Sequence, residues 1–283
     1  LCIDVTYKKV KNIIDNTNLE KVIVTSATKS MERIMKFLYW ITKGRKLNVK
    51  ESNKFILWNH FIYSSYKYKE DPYTKVDSKK PAVILYSGGT TGKPKAVLLS
   101  NYSFNAQAVQ AKYVNGVVDS ENAFLTFLPN FHAFGLGICT HIPLYFGMRI
   151  VLIPEFNIKK FKKYIRKYKP NIICGVPTIY DKICDLKFRK NDLSCLKICV
   201  CGGDSISAAL KEKSEAFMAK HGYSGGITVG YGLSETAGVI CLSPEGLKDK
   251  ADVIGYAFPN VEFKFIDIDT DVSLLQNQIQ YIS

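Results

Sequence analysis

Tyr86-Ser87-Gly88-Gly89-Thr90-Thr91-Gly92-Lys93-Pro94-Lys95 follows directly on the apolar run Ala82 to Leu85. A strand-like segment thus ends in glycines, hydroxyls and lysines, the composition of a loop that holds phosphate. Glycine lets the backbone approach an anion and reach positive φ. Free N–H groups in a turn form an anion-binding nest, and Thr and Lys add donors and charge. The commonest phosphate loop, G-x-x-x-x-G-K-[ST], does not fit, because aligning Gly92-Lys93 with its end puts Ser87 at its first glycine and Pro94 at its metal-binding hydroxyl. Pro94 also lacks an N–H and disfavours a helical start at Lys93. The stretch reads as a phosphate loop of another kind or, without a ligand, as a glycine- and threonine-rich surface turn.

Downstream, short apolar strands alternate with helical segments. Strands are expected at Ala82-Leu85, Ala123-Leu128, Arg149-Ile153, Ile172-Gly175, Ile198-Cys201 and Ile227-Tyr231, with helices around Ser103-Val114, Ile158-Tyr168 and Ser207-His221. Continuous apolar strands separated by helices predict an α/β fold: a mostly parallel sheet covered on both faces, with ligands at the carboxyl ends of its strands.

Four further clusters sit at such ends. Val229-Gly230-Tyr231-Gly232-Leu233-Ser234-Glu235-Thr236 combines an aromatic ring, two glycines, hydroxyls and a carboxylate. It is no hydrolase elbow, since G-x-S-x-G needs glycine where Thr236 stands. Leu128-Pro129-Asn130-Phe131-His132-Ala133-Phe134-Gly135 places a histidine between aromatic residues, and taken alone His132 reads as structural. Gly175-Val176-Pro177-Thr178 and Cys201-Gly202-Gly203-Asp204-Ser205 end strands in glycine, which permits close backbone approach but equally serves a plain turn.

Together these segments resemble the adenylate-forming superfamily of acyl-CoA synthetases, luciferases and peptide-synthetase adenylation domains. Its loop signature is roughly Y-[ST]-[SG]-G-T-T-G-x-P-K-G-V. Tyr86, Gly89, Thr90, Thr91, Gly92, Pro94 and Lys95 stand in register, while Gly88 replaces a frequent serine and Ala96 a usual glycine. Gly88 looks like the variant of bacterial long-chain acyl-CoA synthetases. Tyr231 to Glu235 resembles the second signature, Y-G-x-[ST]-E. Gly255, Pro259 and Asn260, ahead of Val261 to Asp267, resemble the subdomain that follows.

The resemblance implies ATP, Mg²⁺ and CoA, and an acyl-CoA synthetase large-domain fold truncated at both ends. Ser87, Gly88, Gly89, Thr90, Thr91, Gly92, Lys93 and Lys95 would hold the phosphates. Gly202, Gly203, Gly230 and Gly232 would lie along the nucleotide, with Tyr231 on adenine and Ser234 at the α-phosphate or substrate carboxylate. Glu235 and Thr90 would serve the metal, and Thr90, His132 and Glu235 the chemistry. Phe131, His132, Gly175 and Gly202 would border the acyl group. Mg²⁺ prefers carboxylate and phosphate oxygen, and screening the triphosphate lets an anionic carboxylate attack the α-phosphorus. Amino-acid-activating members usually carry aspartate at the position of His132, to pair with an α-ammonium. Histidine between Phe131 and Phe134 offers no such anion, so a medium- or long-chain fatty acid is expected. Amino-acid adenylation for a carrier protein and a catalytically silent nucleotide-binding member are the alternative readings. The family's later Y-x-[ST]-G-D signature and its lid lysine are not found in the sequence, so the chain is expected to be a fragment of poor activity, with residues 1–78 a partial leading segment and 79–283 the adenylate-forming core.

Composition is compatible with this. A chain of 283 residues, 47% apolar, can bury a substantial core. Its net charge of +14 comes almost wholly from scattered lysine, with arginine only at 33, 45, 149, 166 and 189. Base readout favours arginine, so no nucleic-acid partner is expected, whereas ATP and CoA profit from the same field. Eight cysteines mostly sit in apolar runs with no signal peptide ahead, as in a reduced cytoplasmic protein; a metal site at Cys195, Cys199, Cys201 and His221 lacks any C-x-x-C pair. The longest apolar stretch, Phe134 to Pro154, is interrupted by His141 and Arg149, so no uninterrupted apolar run approaches the length needed to span a bilayer.

The leading segment opens with a helix carrying Val10, Ile13 and Ile14 on one face, then a strand at Lys21-Thr25. Two aromatic-rich helices are expected next, one with Met31, Ile34, Met35, Leu38 and Ile41, the other with Phe55, Trp58 and Ile62. Flanking lysines leave two readings open: helices packed on the core, or an amphipathic surface in peripheral contact with a membrane. Residues 66–80 read as a linker.

Overall fold

The structure is a computed structural model that describes residues 1–26, 28, 31, 33–42, 49–69, 77–87, 94–114, 118–243 and 255–266. They fall into two compact units, Leu1–Lys75 and Val76–Ser283.

The first unit contains β1 (Cys2–Ile3), α1 (Tyr7–Ile13), β2 (Val22–Thr25), α2 (Arg33–Thr42), β3 (Phe55–Leu57) and α3 (Trp58–Ser65). Its strands form a parallel sheet in the order β1-β2-β3. Val22 and Val24 alternate inward from β2, and Tyr7, Ile14 and Phe55 complete a small core in which the Tyr7 and Phe55 rings meet edge to face at 5.0 Å. Two expectations change here. Phe55 lies in a strand, not on a helix with Trp58 and Ile62, because pairing Val22 with Phe55 buries its ring at that core. Ile13 is 55% exposed while Ile14 is buried, since the helix ends between them and residues one apart point about 100° from each other. Of the two readings left open for the first aromatic-rich helix, α2 follows the exposed one: Ile34, Leu38 and Ile41 face solvent.

In the second unit, β4 (Pro81–Ser87) and β5 (Lys95–Ser100) form an antiparallel hairpin of their own. β4 is thus no member of the parallel sheet. Only seven residues separate Ser87 from Lys95, and a parallel crossover needs about a dozen. Leu85 and Leu99 turn to a small core shared with Phe104, Ala133 and Ala237. The helix α4 (Asn101–Val114) leads to β6 (Ala123–Thr126), after which a π-helical segment, Phe134–His141, runs into α5 (Ile142–Tyr145) and β7 (Arg149–Leu152). Then β8 (Ile172–Gly175), β9 (Ile198–Gly202) and β10 (Thr228–Leu233) follow α6 (Phe161–Tyr168), α7 (Pro177–Cys184) and α8 (Ala208–Lys220), and β11 (Gly238–Leu242) and β12 (Tyr256–Ala257) close the chain's described strands.

These strands make a seven-stranded sheet in the order β12-β11-β10-β9-β8-β6-β7, parallel from β7 to β10 and antiparallel at β11 and β12. Every residue of β6 and β8 is buried, and the pleat divides them between two cores. Leu125, Ile173, Cys199 and Cys201 face Phe161, Ile165, Tyr180, Ile183 and Met218. Phe124, Ile172, Cys174 and Ile198 face Ala108, Ile138, Ile142 and Met148. α6 shows why such a helix forms: Phe161 and Ile165, four apart, are fully buried, while Lys163 and Lys167 stand in solvent. Arg166 at its edge grips Asp192 through two hydrogen bonds, 3.0 and 2.7 Å. The chain is therefore an α/β protein whose main sheet is mostly parallel and covered on both faces.

Candidate functional site

The carboxyl ends of β8, β9 and β10 open on one cavity of about 400 Å³. At its mouth lie the backbone of Gly202, Gly203, Gly230 and Gly232, the Tyr231 ring, and the side chains of His132 and Ser234; its interior is walled by Phe124, Ile138, Ile142, Ile172 and Ile198, with Ala111 of α4. Among the described residues, no aspartate, glutamate, lysine or arginine lines it. The glycines are there because nothing larger fits. A Cβ on Gly202 would sit 2.8 Å from the Gly230 carbonyl oxygen, Gly203 has φ of +79°, and a Cβ on Gly232 would overlap the Gly238 carbonyl.

The register of β10 against β11 shifts between Tyr231 and Gly232, a bulge that turns the strand end toward the cavity. A 3₁₀ turn, Ser234–Thr236, follows and places Glu235 in solvent. Thr236 fixes the turn: its Oγ1 accepts from Leu233 N at 3.0 Å and donates to Gly238 O at 2.8 Å. Gln107, buried on α4, donates from Nε2 to Val239 O at 3.1 Å and Thr236 O at 3.5 Å. Its Oε1 is buried without a hydrogen-bond partner among the described residues. From the hairpin, Ser87 Oγ donates to Glu235 Oε1 at 3.5 Å. Ser87 and Lys95 also face each other across β4 and β5, where they close the glycine-rich loop.

Of the residues expected at a site, His132, Gly202, Gly203, Gly230, Tyr231, Gly232 and Ser234 converge on this cavity. Ser87 and Glu235 meet beside it. Gly88, Gly89, Thr90, Thr91, Gly92 and Lys93 lie outside the described residues. Two placements differ from expectation. Phe131 is 69% exposed, with its ring tilted against His132 at 4.5 Å, and does not line the cavity. Gly175 also lies outside the lining: a Cβ there would press on Tyr180 and Ile179 of α7, so its missing side chain makes room for a helix. Its neighbours Cys174 and Val176 reach the cavity instead. Gln107 and Ala111 were not expected. The only sequence signal for Gln107 is its place between Phe104, Ala108 and Ala111 on one helical face.

Burial, with the Cys139 thiol beside it, pushes the Cys174 thiol well up; burial also raises Cys199, and Cys201 to about 12. Cys174, Cys199 and Cys201 are free thiols, and no cluster of three or more metal-ligating His, Cys, Asp or Glu occurs among the described residues. No helix among them is long and apolar enough to cross a membrane.

Residues 5–278 match the model of the AMP-binding enzyme family. The chain belongs to that family. Family relatives include a long-chain-fatty-acid–CoA ligase of Bacillus subtilis, 27% identical over 93% of this chain and 47% of the relative. The luciferin 4-monooxygenase of Photinus pyralis is 34% identical over 71% of the chain and 36% of the relative. Among solved family structures, a long-chain-fatty-acid-CoA ligase from Archaeoglobus fulgidus superposes with a TM-score of 0.71 at 21% identity, covering 94% of this chain and 53% of that one. The anthranilate CoA ligase AuaEII, solved with anthranoyl-AMP, gives 0.74 at 20% identity, covering 96% and 48%. The chain spans less than half the length of the curated relatives described.

Proposed function

We propose that the chain forms the ATP- and acyl-binding part of an AMP-forming acid–thiol ligase that activates a medium- or long-chain fatty acid. One observation carries the reading. A cavity runs from a glycine-lined mouth, at strand ends that suit a nucleotide, into an aliphatic interior with no charged side chain among the described residues. An alkyl tail gains about 0.8 kcal/mol for each methylene buried there. An α-ammonium would be desolvated without a counter-ion, which disfavours an amino acid.

In this reading the glycine-rich loop closed by Ser87 and Lys95 takes the ATP phosphates, and the Tyr231 ring takes the adenine. Ser234 orients the carboxylate for attack on the α-phosphorus, giving acyl-adenylate and pyrophosphate; the thiol of CoA then displaces AMP. His132 stands at the mouth, where the carboxylate meets the phosphate. Glu235 fits a magnesium ion: it is an exposed carboxylate with a hydroxyl oxygen 3.5 Å away, and Mg²⁺ commonly takes one or two carboxylates together with phosphate oxygens. When bound, the ion would neutralise charge on the triphosphate. Thr90 would supply a further oxygen.

Exchange of labelled pyrophosphate into ATP, measured on the complete protein with a panel of acids, tests the reading. Exchange is expected with fatty acids of about eight to sixteen carbons and not with amino acids. Amino-acid-dependent exchange, or none with any carboxylate, would overturn it.

A further inference from the structure

α2 is built the wrong way round for a helix of a globular unit. Ile34, Phe37, Leu38 and Ile41, spaced i, i+3, i+4 and i+7, form one apolar face, which normally packs on a core. Here they are 76%, 61%, 49% and 46% exposed. The side that turns inward carries Tyr39, whose hydroxyl is buried; burial, with Asp4 nearby, raises its pKa. Trp40 stacks on Phe37 at 6.3 Å and extends the outward face, while Arg33 and Lys36 are exposed along its edge.

We propose that this outward face of α2 docks on an anionic lipid surface. Charge selects the occupant. The charged side chains of α2 are Arg33 and Lys36, with no acid in Arg33–Thr42. A second copy of the chain would bring two such segments together and be repelled, whereas an anionic leaflet attracts them, each basic group being worth about fivefold in partition. Helices of this composition lie in the plane of the membrane, with apolar side chains sunk to the acyl boundary and Trp at headgroup level. α2 has ten residues and cannot span. The docking does not depend on which acid the enzyme uses.

The test is flotation of the full chain with vesicles of phosphatidylcholine alone or with 30% phosphatidylglycerol. Wild type is expected to float with the anionic vesicles, at least tenfold less with neutral ones, and to be released by 0.5 M salt. The triple change Phe37→Ser, Leu38→Ser, Ile41→Ser and the pair Arg33→Glu, Lys36→Glu should each cut binding at least tenfold while leaving the melting temperature within a few degrees. Wild type that stays in the aqueous fraction, or variants of both kinds that float as well as wild type, would overturn the proposal. So would a wild type whose flotation is indifferent to lipid charge.

Discussion

The hydroxyl of Ser87 reaches Glu235 Oε1 at 3.5 Å across 148 residues of sequence. This contact brings the end of the hairpin to the turn after β10, so the carboxylate stands beside the strand end that leads into the glycine-rich segment. Neither element lies in the parallel part of the main sheet, and their meeting depends on Thr236 and Gln107 holding the turn.

Glu235→Gln is expected to weaken Mg-ATP binding by the complete protein at least tenfold, about 1.4 kcal/mol, by removing the charge but not the shape. Ser87→Ala should cost only about two- to fivefold, as suits one long hydrogen bond. Because both groups are solvent-accessible, neither change should lower the melting temperature measurably. Calorimetric titration at several Mg²⁺ concentrations checks this, and an unaltered Mg²⁺ dependence in Glu235→Gln would remove the carboxylate from the metal.

Much of the fold was legible because the strands are short β-branched and cysteine runs buried on both faces, so β6 to β10 were found within a few residues. Pairing was less so: Lys95–Ser100 follows a proline and carries no strand signature as strong as that of Ile172–Gly175, and only contact with β4 makes it a strand. The mouth of the site could be read from its glycines, since Gly202 and Gly232 occupy positions where a Cβ meets backbone and Gly203 needs a positive φ. Gln107 could not, because a polar residue among apolar helix positions gains meaning only when the carbonyls of Thr236 and Val239 are brought to it. For α2 both readings stayed open for the converse reason: periodicity finds an apolar face but does not say what it faces.

Gly232→Ala should destabilise the second unit by about 3 kcal/mol or more, because the added Cβ meets the Gly238 carbonyl, a backbone group that cannot rotate aside. Gly175→Ala should cost less, about 1–2 kcal/mol, since the nearest atoms are side chains of Tyr180 and Ile179 at 3.3 and 3.4 Å. Urea denaturation of the two variants orders them. Equal stabilities would contradict the tight crossing of β10 and β11.

Ala111 gives the cavity part of its depth from α4. Ala111→Phe is expected to leave Mg-ATP affinity unchanged while shortening the longest acid that supports pyrophosphate exchange by several carbons. A uniform loss across all chain lengths would place the acyl tail elsewhere.

The Arg166–Asp192 pair gives the second unit an acid-sensitive joint between α6 and the segment before β9. Hydrogen bonds from Arg166 hold the Asp192 carboxyl below its ordinary value. The unfolded chain therefore takes up this proton at higher pH than the folded one. The contribution is complete above the usual aspartate range and is lost as pH falls through the lower folded value. Since the side chains are 31% and 12% exposed, Asp192→Asn should cost about 1–2 kcal/mol near pH 6, a figure reduced by solvent screening. Melting temperatures of wild type and variant, far apart at pH 6, should approach each other as pH is lowered from 4 toward 2.5. A gap that stays constant over that range would show that the carboxylate contributes nothing through its charge.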